Sequence, residues 1–171
     1  GDVYKRQTQA KDILREEHNV ANLLGENGKL EKTRVGDYGI TYEGKSINSR
    51  GLGLASAQKI NEKLSTCPNS AICEDLCLGE TSGNNLMYGG AAGESYSGDI
   101  ARSAFKAGPR MSQYLKTEAL VLHPEEFAVA LYEQIRAFVR KCEREGYQPS
   151  IRLNVTSDFA PKVFEAVIKA N

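Results

Sequence analysis

The spacing of the cysteines constrains this chain more than any other feature of its sequence. Three of the four cysteines lie within eleven residues, in the run CPNSAICEDLC, at Cys67, Cys73 and Cys77. Thiolates this close in sequence can converge on one soft metal centre, either a zinc ion or an iron–sulfur cluster. The same side chains can also form a disulfide or pack as small apolar groups. The clustering favours the metal centre over these alternatives.

A short predicted helix would bring the three thiols together. Ser70 is a favourable N-cap residue, and Cys73 and Cys77, four residues apart, would share one face of the helix that follows it. Cys67 would complete the site from the preceding loop, where Pro68 restricts the backbone. We therefore predict that Cys67, Cys73 and Cys77 are the metal ligands.

The number of sulfur ligands narrows the choice of cofactor. A tetrahedral structural zinc site needs a fourth ligand, and neither His18 nor His123 stands at a typical zinc-finger spacing. Three cysteines do suit a four-iron cluster with one open iron, the arrangement by which radical enzymes bind S-adenosylmethionine. The usual spacing in those enzymes, C-x3-C-x2-C, is narrower than the spacing here. We expect an iron–sulfur cluster whose open iron binds S-adenosylmethionine in a radical enzyme. Zinc is the alternative metal.

The beginning of the chain does not resemble natural coding sequence. Residues 2–7, DVYKRQ, resemble the translated adapter of transposase-made sequencing libraries. We therefore expect an adapter-derived scar over residues 1–7, which does not belong to the natural protein, and a single domain over residues 8–171. The expected source is a metagenomic fragment whose natural sequence continues beyond both ends.

Composition and charge exclude several classes of protein. Lysine plus arginine and aspartate plus glutamate number 22 each, and this zero net charge argues against a strongly electrostatic nucleic-acid binder. The 40% hydrophobic and 26% charged residues are typical of a globular domain. No apolar run approaches the roughly 20 residues that cross a bilayer. Because clustered cysteines are typical of cytosolic metal chemistry, we expect a cytoplasmic protein with no membrane partner.

The hydrophobic pattern predicts both helices and strands. Helical character covers residues 11–24, strand patterns follow at residues 38–42 and 51–54, and a short helix is predicted at residues 57–64. Glycines accumulate in residues 79–98 without matching a phosphate-binding motif, which favours a flexible loop. The cysteine run would therefore follow a strand and a helical turn.

The clearest helix opens at Pro124 and closes near Gly146. Acidic residues in its first turn complement the positive end of the helix dipole. Its predicted apolar stripe consists of Phe127, Leu131, Ile135, Phe138 and Cys142. Cys142 is therefore predicted to be a buried core thiol, with a role as a fourth metal ligand as the alternative.

A basic stripe is predicted on an earlier helix. Asp99 can cap this helix, on which Arg102, Lys106 and Arg110 recur every four residues, and Pro109 is expected to end or kink it. Such a stripe usually forms a solvated face. It can alternatively contact a phosphate or a cofactor carboxylate, which makes Arg102 a candidate cofactor-binding residue.

The segment 150–156, SIRLNVT, shows the clearest strand pattern in the chain. The apolar row comprises Ile151, Leu153 and Val155, and the polar row comprises Arg152, Asn154 and Thr156. A covering helix would bury the apolar row, so the polar row would face water or a ligand. In an α/β barrel that row would point into the lumen near the active end.

The polar row supplies the candidate catalytic residues. Arg152 can bind a carboxylate or phosphate bidentately, and Asn154 stands beside it in the row. Asp158 can act on a ligand or cap the helix that contains Pro161. The expected fold is α/β, as an incomplete parallel βα-barrel-like chain, with α+β as the alternative.

Three runs of residues resemble a known family. The runs TCPNSAICEDLCLGETSG, ARSAFKAGPR and PSIRLNVTSDF are similar to proteins encoded by bacteriophages and plasmids, related to the phage gene product 88 family. Members show a C-P-x-[AS]-x-x-C-x-x-x-C motif, and a related phage group continues to an R-L-N-G-T-S-D strand. The resemblance covers roughly Asn22 to the end. Val155 stands where the second motif has glycine, and Ser157 and Asp158 complete that motif.

The order of these motifs is similar to the start of a radical S-adenosylmethionine barrel, where a cysteine loop precedes a helix and a polar strand. The leading hypothesis is a phage- or plasmid-type iron–sulfur protein of that radical class. Arg152, Asn154 and Asp158 would line its pocket, and Arg102 and Ser157 would contact the cofactor. One rival is a zinc-stabilised module in phage or plasmid nucleic-acid metabolism, with the basic stripe on phosphate. Another is a structural phage protein whose cysteines pack or pair without metal.

Overall fold

The computed structural model of the protein describes residues 2–26, 41–55, 59–61, 64–65 and 109–155. Three helices lie in these residues: α1 Asp2–His18, α2 Pro109–Leu122 and α3 Pro124–Glu145. The strands are β1 Leu24–Gly25, β2 Thr41–Tyr42, β3 Lys45–Leu52, β4 Lys59–Asn61, β5 Leu64–Ser65 and β6 Gln148–Arg152. None of the described helices is long and apolar enough to cross a membrane.

The eight-residue strand β3 is the centre of the main sheet. It pairs in antiparallel fashion with β2 near its beginning and with β1 at its end, and it pairs in parallel fashion with β6 along residues 47–51. Gly51 has both Gly25 and Arg152 as pairing partners, so β3 lies between β1 and β6. A second, two-stranded sheet is formed by β4 and β5.

The predicted combination of helices and strands is confirmed, but the parallel barrel is not supported. Among the described strand pairs, β3–β6 is parallel and the other three are antiparallel. A parallel pair needs a crossover connection, and α2 and α3 lie in the chain between β3 and β6. Because β3 is flanked by an antiparallel neighbour on one side and a parallel one on the other, the described sheet is mixed.

The prediction of a helix at residues 57–64 is wrong. Lys59–Asn61 and Leu64–Ser65 form the antiparallel pair β4–β5, in which Asn61 pairs with Leu64. The helical interpretation used the four-residue spacing of Ile60 and Leu64. A run this short does not distinguish a helix from a strand pair by its periodicity, and helices shorter than about 12 residues are marginal without packing partners.

The prediction for α3 is confirmed in its extent and in its buried face. The helix spans 22 residues from Pro124, and every residue of the predicted stripe is buried: Phe127, Leu131, Ile135, Phe138 and Cys142. Gly146 ends the helix in the left-handed conformation, with φ of 77°. The N–H of Tyr147 donates to the carbonyl of Cys142 at 2.9 Å, which completes the C-terminal cap.

Gly146→Ala is expected to lower the free energy of unfolding by about 1–2 kcal/mol, because a side chain disfavours positive φ. A Cβ at this position would meet no atom within 4 Å, so the cost would come from the backbone alone. Gly25→Ala is the matched control, since its Cβ would also enter open space and its φ is not positive. Urea denaturation followed by circular dichroism measures both, and equal losses in the two variants would contradict the prediction.

The core joins α1, α2 and α3 to the sheet. Its buried members are Leu14, Val20, Leu23, Leu52, Leu54, Ala119, Leu120, Phe127, Ala130, Leu131 and Ile135. Ile151 and Leu153 pack against this core, as their predicted inward row requires. The strand itself is β6 Gln148–Arg152, two residues earlier at its start than the predicted segment 150–156.

Polar side chains of α3 hold α1 and β1 in place. The amide of Gln7 donates from Nε2 to Glu133 Oε1 at 2.8 Å. Gln134 Oε1 accepts the backbone N–H groups of Leu23 and Leu24 at 2.8 and 3.2 Å. Residues 2–7 belong to α1 in the structure. The predicted adapter origin of residues 2–7 concerns their source and stays a prediction.

Candidate functional site

The predicted cysteine ligands lie outside the described residues. Cys67, Cys73 and Cys77 fall between the described ranges 64–65 and 109–155, so the metal centre stays a prediction. The same holds for three further predicted site residues: Arg102, Ser157 and Asp158.

Two predicted catalytic residues, Arg152 and Asn154, are described at the end of β6. The Nε–H of Arg152 donates to the backbone carbonyl of Asn154 at 2.9 Å. Arg152 is exposed, whereas Ile151 and Leu153 on either side of it are half-buried against the core. The predicted alternation is thus confirmed over these three residues, and a guanidinium is presented at the carboxyl end of a strand, where it can receive a carboxylate or phosphate.

The predicted core role of Cys142 is confirmed. This free cysteine is fully buried on α3. Burial raises the pKa of the Cys142 thiol, and the nearby Glu145 carboxylate raises it further. Its alternative role as a fourth metal ligand is untested, because the other three cysteines lie outside the described residues.

The sequence reasoning missed a cluster around the two histidines of the chain. We call this group the histidine–glutamate cluster, and it comprises Glu17, His18, Glu118, His123 and Glu126. Its members come from the last turn of α1, the C-terminal half of α2, and the first turn of α3 with the residue before it. The cluster therefore lies where the end of α1 meets the corner between α2 and α3.

Each imidazole in this cluster contacts a carboxylate from another helix. His18 Nδ1 donates to Glu118 Oε2 at 3.0 Å, and His123 Nε2 donates to Glu17 Oε2 at 2.9 Å. The two rings meet edge to face, with centroids 5.1 Å apart and an interplanar angle of 62°. His123 Nδ1 lies 4.0 Å from Glu126 Oε2. The two histidines and Glu17 each offer one donor atom, and these atoms lie within 4.8 Å of one another.

The end of α1 fixes the position of His18. Asn19, the next residue, adopts φ of 54°, which turns the chain out of the helix. The N–H groups of Asn19 and Val20 donate to the carbonyls of Arg15 and Leu14, each at 3.0 Å. Because Leu14 and Val20 are both buried in the core, this turn is anchored and His18 is held at the surface of the core.

The corner between α2 and α3 fixes the position of His123. Its N–H donates to the carbonyl of Ala119 at 2.9 Å, and its own carbonyl accepts the N–H of Phe127 at 2.9 Å. Pro124 follows as the first residue of α3, where its missing N–H costs nothing. Pro109, predicted to end or kink a helix, likewise begins α2. His123 thus belongs to the hydrogen-bonded ends of two helices.

The histidine–glutamate cluster has no local motif, because its two histidines are about a hundred residues apart. A weaker signal is nevertheless present in the sequence. His18 follows Glu17 directly, and His123 precedes Glu126 by one helical turn at a predicted helix start. The chain has only two histidines, and each lies near a glutamate at a predicted helix end. This pattern indicates that the two histidines and their glutamates can meet in one cluster.

The described residues define an α/β protein with three helices, a small mixed sheet and a group of three side chains able to accept a metal ion. A family model described as gene product 88 matches residues 21–170. The chain belongs to the gene product 88 family, as its resemblance to phage proteins predicts. Comparison with curated proteins and with solved structures found no match. Glu17 and His18 lie just before the matched residues.

Proposed function

We propose that the protein is a metal-dependent member of this phage family, with Cys67, Cys73 and Cys77 as the ligands of its principal centre. The observation that carries this proposal is the presence of three of the four cysteines within eleven residues. All three also lie within the residues matched by the family model. Soft thiolates at such intervals favour an iron–sulfur cluster or zinc over packing.

The topology of the sheet supports a site beside β6. Parallel strands have their carboxyl ends at the same edge, and the pairing of Gly51 with Arg152 sets the ends of β3 and β6 side by side. Ligands of α/β proteins commonly bind outside the carboxyl ends of such strands. The chain that leaves β3 leads to the cysteine run, and the chain that leaves β6 carries the polar row. We propose that both contribute to one site.

Within that site we propose an iron–sulfur cluster on the cysteines and a small-molecule pocket beside it. The exposed guanidinium of Arg152 would bind a carboxylate, such as that of S-adenosylmethionine, and Asn154 and Asp158 would line the pocket. Arg102 and Ser157 would contact the cofactor. These roles correspond to a radical S-adenosylmethionine-type enzyme, without the closed parallel barrel.

The zinc-stabilised nucleic-acid module is the second candidate. Its basic stripe stays a prediction, because Arg102 and Lys106 lie outside the described residues and only Arg110 is placed, in the first turn of α2. Metal analysis distinguishes the zinc-module hypothesis from the iron–sulfur hypothesis, and both of these from a structural protein without metal.

Cys67→Ala is expected to remove the metal of the cysteine centre, because a cluster or ion held by three thiolates loses one of its ligands. The measurement is iron, acid-labile sulfide and zinc content after anaerobic purification. About four irons per chain in the unmodified protein would support the radical enzyme, and one zinc held by the cysteines would support the module.

Cys142→Ala is the matched control, since it removes a buried cysteine from α3 and should leave the metal content unchanged. Unchanged metal in Cys67→Ala would contradict the ligand assignment. If the unmodified protein contains no iron, sulfide or zinc, the hypothesis of a structural phage protein without metal would replace the metal-dependent one.

A further inference from the structure

We propose that Glu17, His18 and His123 form a second site, for a divalent metal ion of the zinc class, that ties the end of α1 to the corner between α2 and α3. This site is separate from the cysteine centre. Four features of the histidine–glutamate cluster support this site. They are the unpartnered Nε2 of His18, the carboxylate of Glu118 that orients the His18 ring, the set of nitrogen and oxygen donor atoms, and the solvent exposure of Glu17.

The first feature is the buried ring of His18. This side chain is 3% exposed, and its Nε2 has no hydrogen-bond partner. Within the described part of the chain it is the one buried side-chain nitrogen or oxygen without a partner. Folded proteins rarely leave such an atom unsatisfied, and a bound ion or water commonly supplies the missing partner. A metal ion bound to Nε2 would satisfy it.

The second feature is the carboxylate on the opposite side of the same ring. Glu118 Oε2 accepts the Nδ1–H of His18 at 3.0 Å and is itself largely buried. A carboxylate in this position fixes the tautomer, because the proton on Nδ1 leaves the lone pair on Nε2. Metal-binding histidines almost always donate their second nitrogen in this way. Glu118 is therefore the positioning residue of the proposed site.

The third feature is the donor set, which consists of two imidazoles and one carboxylate within 4.8 Å of one another. Ligand bonds of about 2.1 Å place the donors of a tetrahedral zinc site about 3.4 Å apart, so small side-chain movements would close the group. Imidazole and carboxylate donors together suit zinc, cobalt or nickel, whereas magnesium and calcium prefer oxygen donors alone. His123 Nε2 and Glu17 Oε2 already lie 2.9 Å apart in a hydrogen bond, and the ion would take the place of the proton between them.

Two ordinary ion pairs do not account for the whole cluster. They explain the contacts of His18 Nδ1 and His123 Nε2, but they leave His18 Nε2 buried and unpartnered. The metal site accounts for all three nitrogens. Glu17 is 55% exposed, so this side of the group is open to solvent. An ion can enter there, and a water molecule can take the coordination position that three protein ligands leave free.

The test is titration of the chelator-treated protein with Co²⁺ and with Zn²⁺. Nitrogen and oxygen ligands give cobalt weak visible d–d bands, without the intense ultraviolet charge-transfer band of thiolate ligands. We expect d–d bands of this type from one ion per chain, and we expect Cys67→Ala to retain them. Loss of the thiolate signal with retention of these bands distinguishes the two centres, so either proposal can fail without the other.

Ligand variants make the test specific. In the Cys67→Ala background, which removes the competing cysteine centre, Glu17→Gln and His123→Gln are expected to weaken Zn²⁺ binding about 100-fold or more, and Glu118→Gln about 10-fold through the orientation of His18. Glu125→Gln is the matched control, since it neutralises an exposed carboxylate in the first turn of α3 outside the cluster. Zinc should also raise the thermal midpoint of the Cys67→Ala protein and leave that of the Cys67→Ala, His123→Gln double variant unchanged.

Because Glu17 is exposed, Glu17→Gln should fold even if a His18 variant does not. Circular dichroism of each apo-protein checks this. The proposal is overturned if the unmodified chain gives no nitrogen- and oxygen-type cobalt spectrum. It is also overturned if Glu17→Gln and His123→Gln, each made in the Cys67→Ala background, both bind zinc as tightly as the control in that background.

Discussion

Phe127→Ala is expected to lower the free energy of unfolding by about 3–5 kcal/mol, the largest stability effect we predict for a single side chain. Phe127 is 1% exposed and is the largest fully buried side chain among the described residues. It lies in the first turn of α3 within the core shared with α1, α2 and β3. Truncation would remove contacts from several elements at once and leave a cavity that rigid helices cannot close.

Urea denaturation followed by circular dichroism measures the effect of Phe127→Ala. Phe127→Leu should cost less, because it keeps most of the apolar volume. Arg140→Ala on the exposed face of the same helix should change the free energy of unfolding by less than about 0.5 kcal/mol. A loss in Phe127→Ala no larger than that of Arg140→Ala would show that this packing does not stabilise the fold.

Thr117→Val is expected to lower the free energy of unfolding by about 1–3 kcal/mol, the cost of a buried donor without a partner. Thr117 is 1% exposed on α2, and its hydroxyl donates to the carbonyl of Gln113 at 2.8 Å. The same oxygen accepts the N–H of Ala55 at 2.8 Å. Valine has a similar shape but no acceptor, so the buried N–H of Ala55 would lose its hydrogen bond.

The serine variant separates the hydroxyl from the methyl group. Thr117→Ser keeps both hydrogen bonds and removes one methyl, which should cost about 0.8 kcal/mol. Thermal and urea denaturation should therefore rank the proteins as unmodified, serine, valine in decreasing stability. A valine variant as stable as the serine variant would mean that the Ala55 N–H finds another acceptor. Ala55 follows the end of β3, so this bond also anchors the chain on its way to the cysteine run.

Elements with long, regular periodicity could be predicted from the sequence. The apolar stripe of α3 extends over the whole helix, and its caps at Pro124 and Gly146 follow from the conformations that those two residues favour. The inward row of Ile151 and Leu153 was equally predictable, because alternation is a local property of a strand. The ends of β6 could not be predicted, because they depend on its pairing with β3, which lies about a hundred residues earlier in the chain.

The errors and omissions have long-range causes. At Ile60 and Leu64, a short apolar pattern fits both a helix and a strand pair, and the pairing of Asn61 with Leu64 decides the outcome. The antiparallel neighbours of β3 cannot be predicted from the strand sequences, because strand pairing is a long-range property, and a parallel barrel was therefore expected. The contact between His18 and His123 arises from helix packing across about a hundred residues, which leaves no local spacing to detect.

The parallel pairing of β3 with β6 has a consequence for how the chain folds as it is synthesised. Ile47 pairs with Gln148, about a hundred residues further along, so this edge of β3 stays open until α2 and α3 have left the ribosome. Contacts that close such long loops form slowly, and open strand edges attract other chains. Translation that stalls before residue 148 would therefore release a nascent chain prone to aggregation, whereas completion of β6 would protect it.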